Sequence, residues 1–179
     1  MDVDYDPENE TVSVKGTMKM SSASALTASV DAALNKFKGD TIGGGLITKM
    51  SKGVLVFPNI VKVGVLGIGG QYGEGALVTE GTKVVDYYNM VSASFGFQLG
   101  AQAYSMIICF LTDESLQSFR YSQGWKIGVD ASVAVIKLGM GAKIDTQNIK
   151  ESVVAFVFDN EGLMYSLTLE GTKISRIAK

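Results

Sequence analysis

The sequence predicts an α+β fold: a strongly bent antiparallel β-sheet or barrel-like sandwich covered by N-terminal helices. Three observations carry that expectation. Glycine is abundant, 21 of 179 residues, while proline occurs only twice; a usual glycine share is roughly 7 %. Long strands that bend sharply use the two residues in that proportion. One clear helical period stands near the start of the chain, and period-two alternation dominates the remainder. The dividing stretch is Ser51 to Leu77, SKGVLVFPNIVKVGVLGIGGQYGEGAL.

Composition sets the outer bounds. At 46 % hydrophobic and 19 % charged residues, the chain is globular and large enough to bury a core. Its formal net charge is −2, which hides an asymmetry. Residues 1–10 hold five acids (Asp2, Asp4, Asp6, Glu8, Glu10) and no base, so the remainder, with 16 bases and 13 acids, carries +3. Residues 1–20 therefore read as an acidic, flexible N-terminal segment and 21–179 as a single domain. The balance argues against nucleic acid, which requires a concentrated basic patch.

Taken in order, Asp2, Asp4 and Asp6 have the spacing that opens an EF-hand loop. Pro7 stands where that loop needs glycine and Ser13 where it needs glutamate, so a solvated tail is the better reading. From Ser21 to Lys38, Leu26, Val30, Ala33, Leu34 and Phe37 share one face at the helical period. Ser21 or Ser22 is suited to cap this helix, Lys36 and Lys38 suit its C-terminal dipole, and Gly39 is a natural left-handed stop. Two readings of the helix stay open: packing on the sheet, or delivering its basic end to a membrane. Gly43-Gly44-Gly45 is a tight connection, and Leu46–Lys52 a second short helix that Gly53 stops, carrying Lys49 and Lys52.

Val54–Phe57 is an apolar run that Pro58-Asn59 ends as a turn. Beyond it, β-branched residues alternate with glycines, the mark of a bent strand. A phosphate cradle does not fit: Gly67 and Gly69 begin G-x-G-x-x-G, but Tyr72 takes the third glycine's place, and no Gly-Lys-Ser/Thr follows. Ala76–Thr79 and Lys83–Tyr88 flank a hairpin connection at Glu80-Gly-Thr.

The longest alternation runs from Val91 to Ala103. Val91, Ala93, Phe95, Phe97, Leu99, Ala101 and Ala103 make an apolar face expected to be buried; Ser92, Ser94, Gly96, Gln98, Gly100 and Gln102 make a small, uncharged one against which other protein can pack. Thr112 caps a short helix with Asp113 and Glu114 in its first turn and Arg120 at its end. Trp125 opens a further strand, its indole N–H expected to find an acceptor. Ile127–Leu138 alternates loosely, Val153–Phe158 and Leu163–Leu169 form a terminal hairpin, and Thr172–Ile177 is the last strand.

Catalytic chemistry is poorly supplied. The sequence has no histidine and one cysteine, Cys109, which sits in an apolar run and reads as inert core. Neither a G-x-S-x-G elbow nor a separated carboxylate pair is present. No apolar run approaches the length of a transmembrane helix. The sequence therefore predicts a non-enzymatic protein with no cofactor and no metal.

SKGVLVFPNIVKVG, GGQYGEGAL, SASFGFQLGAQAYS, GWKIGVDASVAV and LEGTKISRI, in that order, closely resemble the SYLF domain family across roughly Ser22 to Ile177. Family members include secreted or lipid-anchored bacterial proteins and eukaryotic trafficking and actin-patch proteins. The resemblance implies a lipid-binding module; eukaryotic members bind phosphoinositides and some bind actin. It directs attention to anionic phospholipid surfaces, with Lys36, Lys38, Lys49, Lys52 and Lys62 as candidate contacts, and to a protein partner or cell-envelope scaffold as the alternative. Met1 leads into acids rather than into a secretory leader. For a bacterial member the resemblance thus implies an exported, membrane-associated protein of the periplasm or envelope whose signal segment lies outside this sequence.

Overall fold

The computed structural model describes residues 4–6, 11–13, 22–65, 68–80, 83–95, 100–139, 141–158 and 169–179. Its centre is one eight-stranded sheet in the order β7-β10-β5-β4-β3-β6-β9-β8. The strands are β3 (Gly53–Val65), β4 (Ile68–Thr79), β5 (Lys83–Phe95), β6 (Gly100–Phe110), β7 (Trp125–Lys126), β8 (Ala134–Lys137), β9 (Val153–Phe158) and β10 (Lys173–Ile177). Neighbours run antiparallel except β8 and β9, which are parallel, so the curled sheet is mixed. The short strands β1 (Asp4–Asp6) and β2 (Thr11–Ser13) pair separately. Helices α1 (Ala23–Asp40) and α2 (Gly44–Met50) cover one side of the sheet, and α3 (Asp113–Tyr121) the other. The α+β architecture predicted from the sequence is the one observed.

The local reasons are legible. Ser22 caps α1, its hydroxyl accepting the Ala25 N–H at 3.2 Å. Leu26, Val30, Leu34 and Phe37 are buried along one side of the helix, as its period requires. Phe37 meets Phe156 and Phe158 with ring centroids 5.3 and 5.7 Å apart. The helix runs through Gly39 to Asp40, and the left-handed residue is instead Gly43, at φ 91°, where α2 begins. Gly44 is needed there because a Cβ would stand 2.5 Å from the Phe37 carbonyl oxygen. α2 accordingly starts and ends two residues before the predicted span, and Gly53 opens β3.

Two cores form. On the α1 side, α1 and Ile47 of α2 pack on Val54, Val56, Ala76, Ile107, Cys109 and Phe156. On the α3 side, Leu55, Phe57, Leu77, Ile108, Phe110 and Trp125 meet Leu116 and Phe119. The α3 aromatics interlock: Phe119 lies 4.8 Å from Phe110, stacked, and 5.2 Å from Trp125, edge-on. Trp125 is buried, and among the described residues its Nε1 finds no acceptor, contrary to expectation.

Pro58 does not end a strand. β3 passes through it at a bulge, where the register shifts between Val56 and Asn59 against β4 and between Phe57 and Ile60 against β6. A proline lacks the ladder N–H, and a bulge is where an interior strand tolerates that loss. The Pro58 carbonyl is used by the Ser105 hydroxyl at 2.8 Å. Opposite the bulge, Gly75 permits contact that no side chain would: its Cβ would fall 2.2 Å from the Val56 oxygen.

The predicted alternating strand Val91–Ala103 is divided between β5, ending at Phe95, and β6, starting at Gly100, with residues 96–99 outside the described part. Where side chains are described, its apolar face is not the buried one. Val91 is 50 % exposed while Ser92 is only 8 % exposed. In the terminal hairpin, β9 forms as predicted and residues 159–168 lie outside the described part. Of Ile127–Leu138 only Ala134–Lys137 becomes strand, because a turn at Gly128, with φ 84°, interrupts it.

Candidate functional site

α1 and α2 meet almost end to end, joined at Thr41–Gly43. That join brings the basic end of α1 beside the basic end of α2. An opening of about 390 Å³ results, lined by Lys38, Lys49 and Lys52 together with Thr48, Ser51 and Glu80. Lys49 and Lys52 are exposed and Lys38 is half-buried. Lys36 is exposed on α1 one residue before Phe37 but does not line the opening. The hydroxyls there are spoken for: Thr48 donates to the Gly44 carbonyl at 2.7 Å and Ser51 to the Ile47 carbonyl at 2.6 Å. The charge the opening offers is therefore mainly ammonium, with Glu80 the acid on its lining.

Beside this opening lies a feature that sequence reasoning missed. Ile42, Leu46 and Met50 are 60, 53 and 46 % exposed. They recur at intervals of four, so they form one stripe along α2 and the turn before it, while Ile47 on the other face of α2 is buried. The signal was present in the spacing, but a seven-residue helix shows too short a pattern to say which face meets the sheet.

Lys62 is placed elsewhere. It lies on the α3 side of the sheet, in register with Gln71 of β4, and is only 4 % exposed. Burial first, and the nearby charge of Lys137 second, pull its pKa below the ordinary lysine value. A lysine in mid-strand looks exposed by sequence; the curl of the sheet decides otherwise. Lys62 thus has no part in the α1–α2 opening.

The ionic features near the other helix are structural. Asp86 lies 3.5 Å from both Arg120 of α3 and Arg176 of β10, and Arg176 donates to the Arg120 carbonyl at 2.9 Å. Cys109 is fully buried, and burial pushes its thiol up to about 12, so no thiolate nucleophile is available at neutral pH. Among the described residues no group of three or more histidine, cysteine, aspartate or glutamate side chains is placed to hold a metal ion. No described helix is long and apolar enough to cross a membrane.

Residues 91–178 match the model of a protein family described as Las17-binding protein actin regulator, Ysc84. That part of the chain belongs to this family. The matched part begins in β5 and runs to the end of β10, so it contains α3 and six of the eight sheet strands in whole or part. It is the SYLF family that the five sequence blocks resemble, and its description names binding and regulation rather than a reaction. No curated protein matches the chain. The α1–α2 opening, by contrast, lies before residue 91 and outside the matched part.

Proposed function

We propose that this SYLF-family chain is a non-enzymatic module that attaches reversibly to anionic phospholipid surfaces, phosphoinositide-like head groups included, through the α1–α2 end of the domain. The observation that carries the reading is the meeting of Lys38, Lys49 and Lys52 on one opening beside the exposed stripe Ile42, Leu46 and Met50. Ammonium groups meet lipid phosphates as hydrated point charges, and each is worth roughly 1 kcal/mol near an anionic leaflet. Exposed apolar side chains add attraction by burial among acyl chains, which is what distinguishes a membrane-facing helix from a merely basic one. Lys36 extends the same charged end.

The test is co-sedimentation with vesicles, with and without anionic lipid, at two salt concentrations. Replacing Lys38, Lys49 and Lys52 by glutamate is expected to leave the circular dichroism spectrum unchanged and to weaken anionic-vesicle binding by about a hundredfold. Binding is expected to fall with salt. A folded triple variant that binds like the parent would dismiss the assignment.

A second reading, a protein-binding or envelope-scaffold module, is favoured by one observation. Val91 and Ala93 are exposed on the α1 side of β5, beyond the reach of α1. The description of the family as Las17-binding supports the same class of partner. If neither the parent nor the variant binds any vesicle, this reading leads.

A further inference from the structure

Beyond the Pro58 bulge the sheet carries, on its α3 side, a row of polar residues across three neighbouring strands. Lys62 pairs with Gln71, and Gln71 with Ser92. These three are 4, 3 and 8 % exposed. Directly below them, towards the helices, stand the core residues Ile60, Met90 and Tyr104. Two neutral polar side chains and most of one lysine are therefore covered together.

What the described residues of the row lack is a negative charge. The Tyr104 hydroxyl donates to Gln71 Oε1, so the amide N–H groups are what Gln71 has left to offer. Burial pushes the Tyr104 hydroxyl well above the ordinary tyrosine value, so it stays a donor. The Ser92 hydroxyl has no hydrogen-bond partner among the described residues. Among the described residues nothing accepts from the Lys62 ammonium or pairs with its charge. The nearest carboxylate along β4, Glu74, has its Oε2 2.7 Å from Lys179 Nζ. A buried hydroxyl normally finds a partner, and an ammonium in the same row favours an anion as that partner.

We propose that the Lys62–Gln71–Ser92 row is an oxyanion site that takes a single carboxylate or phosphate group, distinct from the lysines of the α1–α2 opening. An oxyanion supplies both things the row is missing: a negative charge against one ammonium, and several lone pairs against amide and hydroxyl donors. Lys137, whose charge acts on Lys62, lines a cavity of about 650 Å³ together with Val133, Val135, Leu169 and Glu170; the three row residues are not part of that lining. The apolar part of that lining suits the body of an amphiphile whose acidic head reaches the row.

Three probes distinguish the sources of the anion: inorganic phosphate, octanoate, and a dihexanoyl phosphatidic acid kept below its micelle concentration. The thermal midpoint is measured with each, against sodium chloride at equal ionic strength. At about a hundredfold excess over Kd, the probe that fits is expected to raise the midpoint by about 5 °C or more. A response to phosphate alone marks a free-ion site, to octanoate a fatty-acid site, and to phosphatidic acid a lipid-phosphate site. Lys62→Met is expected to abolish the shift, and Ser92→Ala, which keeps the charge, to reduce it if the first variant does not fold. The Lys38/Lys49/Lys52 glutamate variant is expected to keep it. No shift with any of the three probes beyond the chloride control would overturn the proposal. So would an undiminished shift in folded Lys62→Met, or in Ser92→Ala where that variant stands in for it, or loss of the shift in the α1–α2 variant alone.

Discussion

The two ends of the long strands β3 to β6 are built from the same alternation and put to opposite use. At the helix-covered end, Val54 and Val56 face α1 while Leu55 and Phe57 face α3, and all four are at most 4 % exposed. Beyond the Pro58 bulge neither helix layer reaches the sheet in the same way. There the α3 side holds the buried polar row, and the α1 side shows Val91 to solvent. A strand sequence therefore does not reveal which of its faces is inside. The covering layer decides, and the bulge marks where the cover changes.

The largest expected effect tests the bulge that separates the two ends. Gly75→Val places its branch against the Val56 oxygen and the Phe57 ring, at 2.2 and 2.7 Å from the first added carbon. Backbone cannot yield as a side-chain tip does, so a loss of more than about 4 kcal/mol is expected. Urea denaturation measures it, and a variant within about 1 kcal/mol of the parent would show that the bulge relaxes freely.

The next effect concerns alkaline pH. Cys109 at the helix-covered end has its thiol raised from 9.0 to about 12 by burial, and burial raises Tyr104 in the same direction. Folded groups that hold protons more tightly than unfolded ones stabilise fully below the unfolded value. Stability should thus be level up to about pH 9, in line with the unfolded thiol, and decline as pH rises towards 12. Denaturant midpoints across that range check the slope. Cys109→Ala should flatten part of it, whereas an identical slope would assign the decline elsewhere.

The smallest effects compare one substitution at both ends. Val154→Thr, in a fully buried position of β9, leaves a hydroxyl in the α1-side core and should cost about 1–3 kcal/mol. Val91→Thr, half exposed, should stay within about 0.5 kcal/mol. Equal costs would mean that the far end is covered as thoroughly as the near one.

Several features came from local chemistry and needed no fold to be seen. Ser22 and Thr112 cap α1 and α3 because their hydroxyls reach the backbone N–H three residues on. The face Leu26, Val30, Leu34 and Phe37 is a matter of helical period alone. The hairpin at Glu80 and the buried fate of Cys109 were equally readable from neighbours in the chain. The meeting of two lysine groups was also legible, because the segments that carry them are joined by only a few residues.

What the tertiary structure alone decided is sidedness and partnership. Lys62 read as an exposed contact and is buried. Val91 read as core and is exposed, while Ser92, read as part of a small face open to packing, lies inside. Pro58 read as a stop and became a bulge in an unbroken strand. Period two says only that neighbours point apart. Which side becomes interior depends on helices and strands distant in sequence, and on how a curled sheet brings Lys137 near Lys62. Caps and faces are set by bonds within four residues, whereas burial is set by what arrives from elsewhere in the chain.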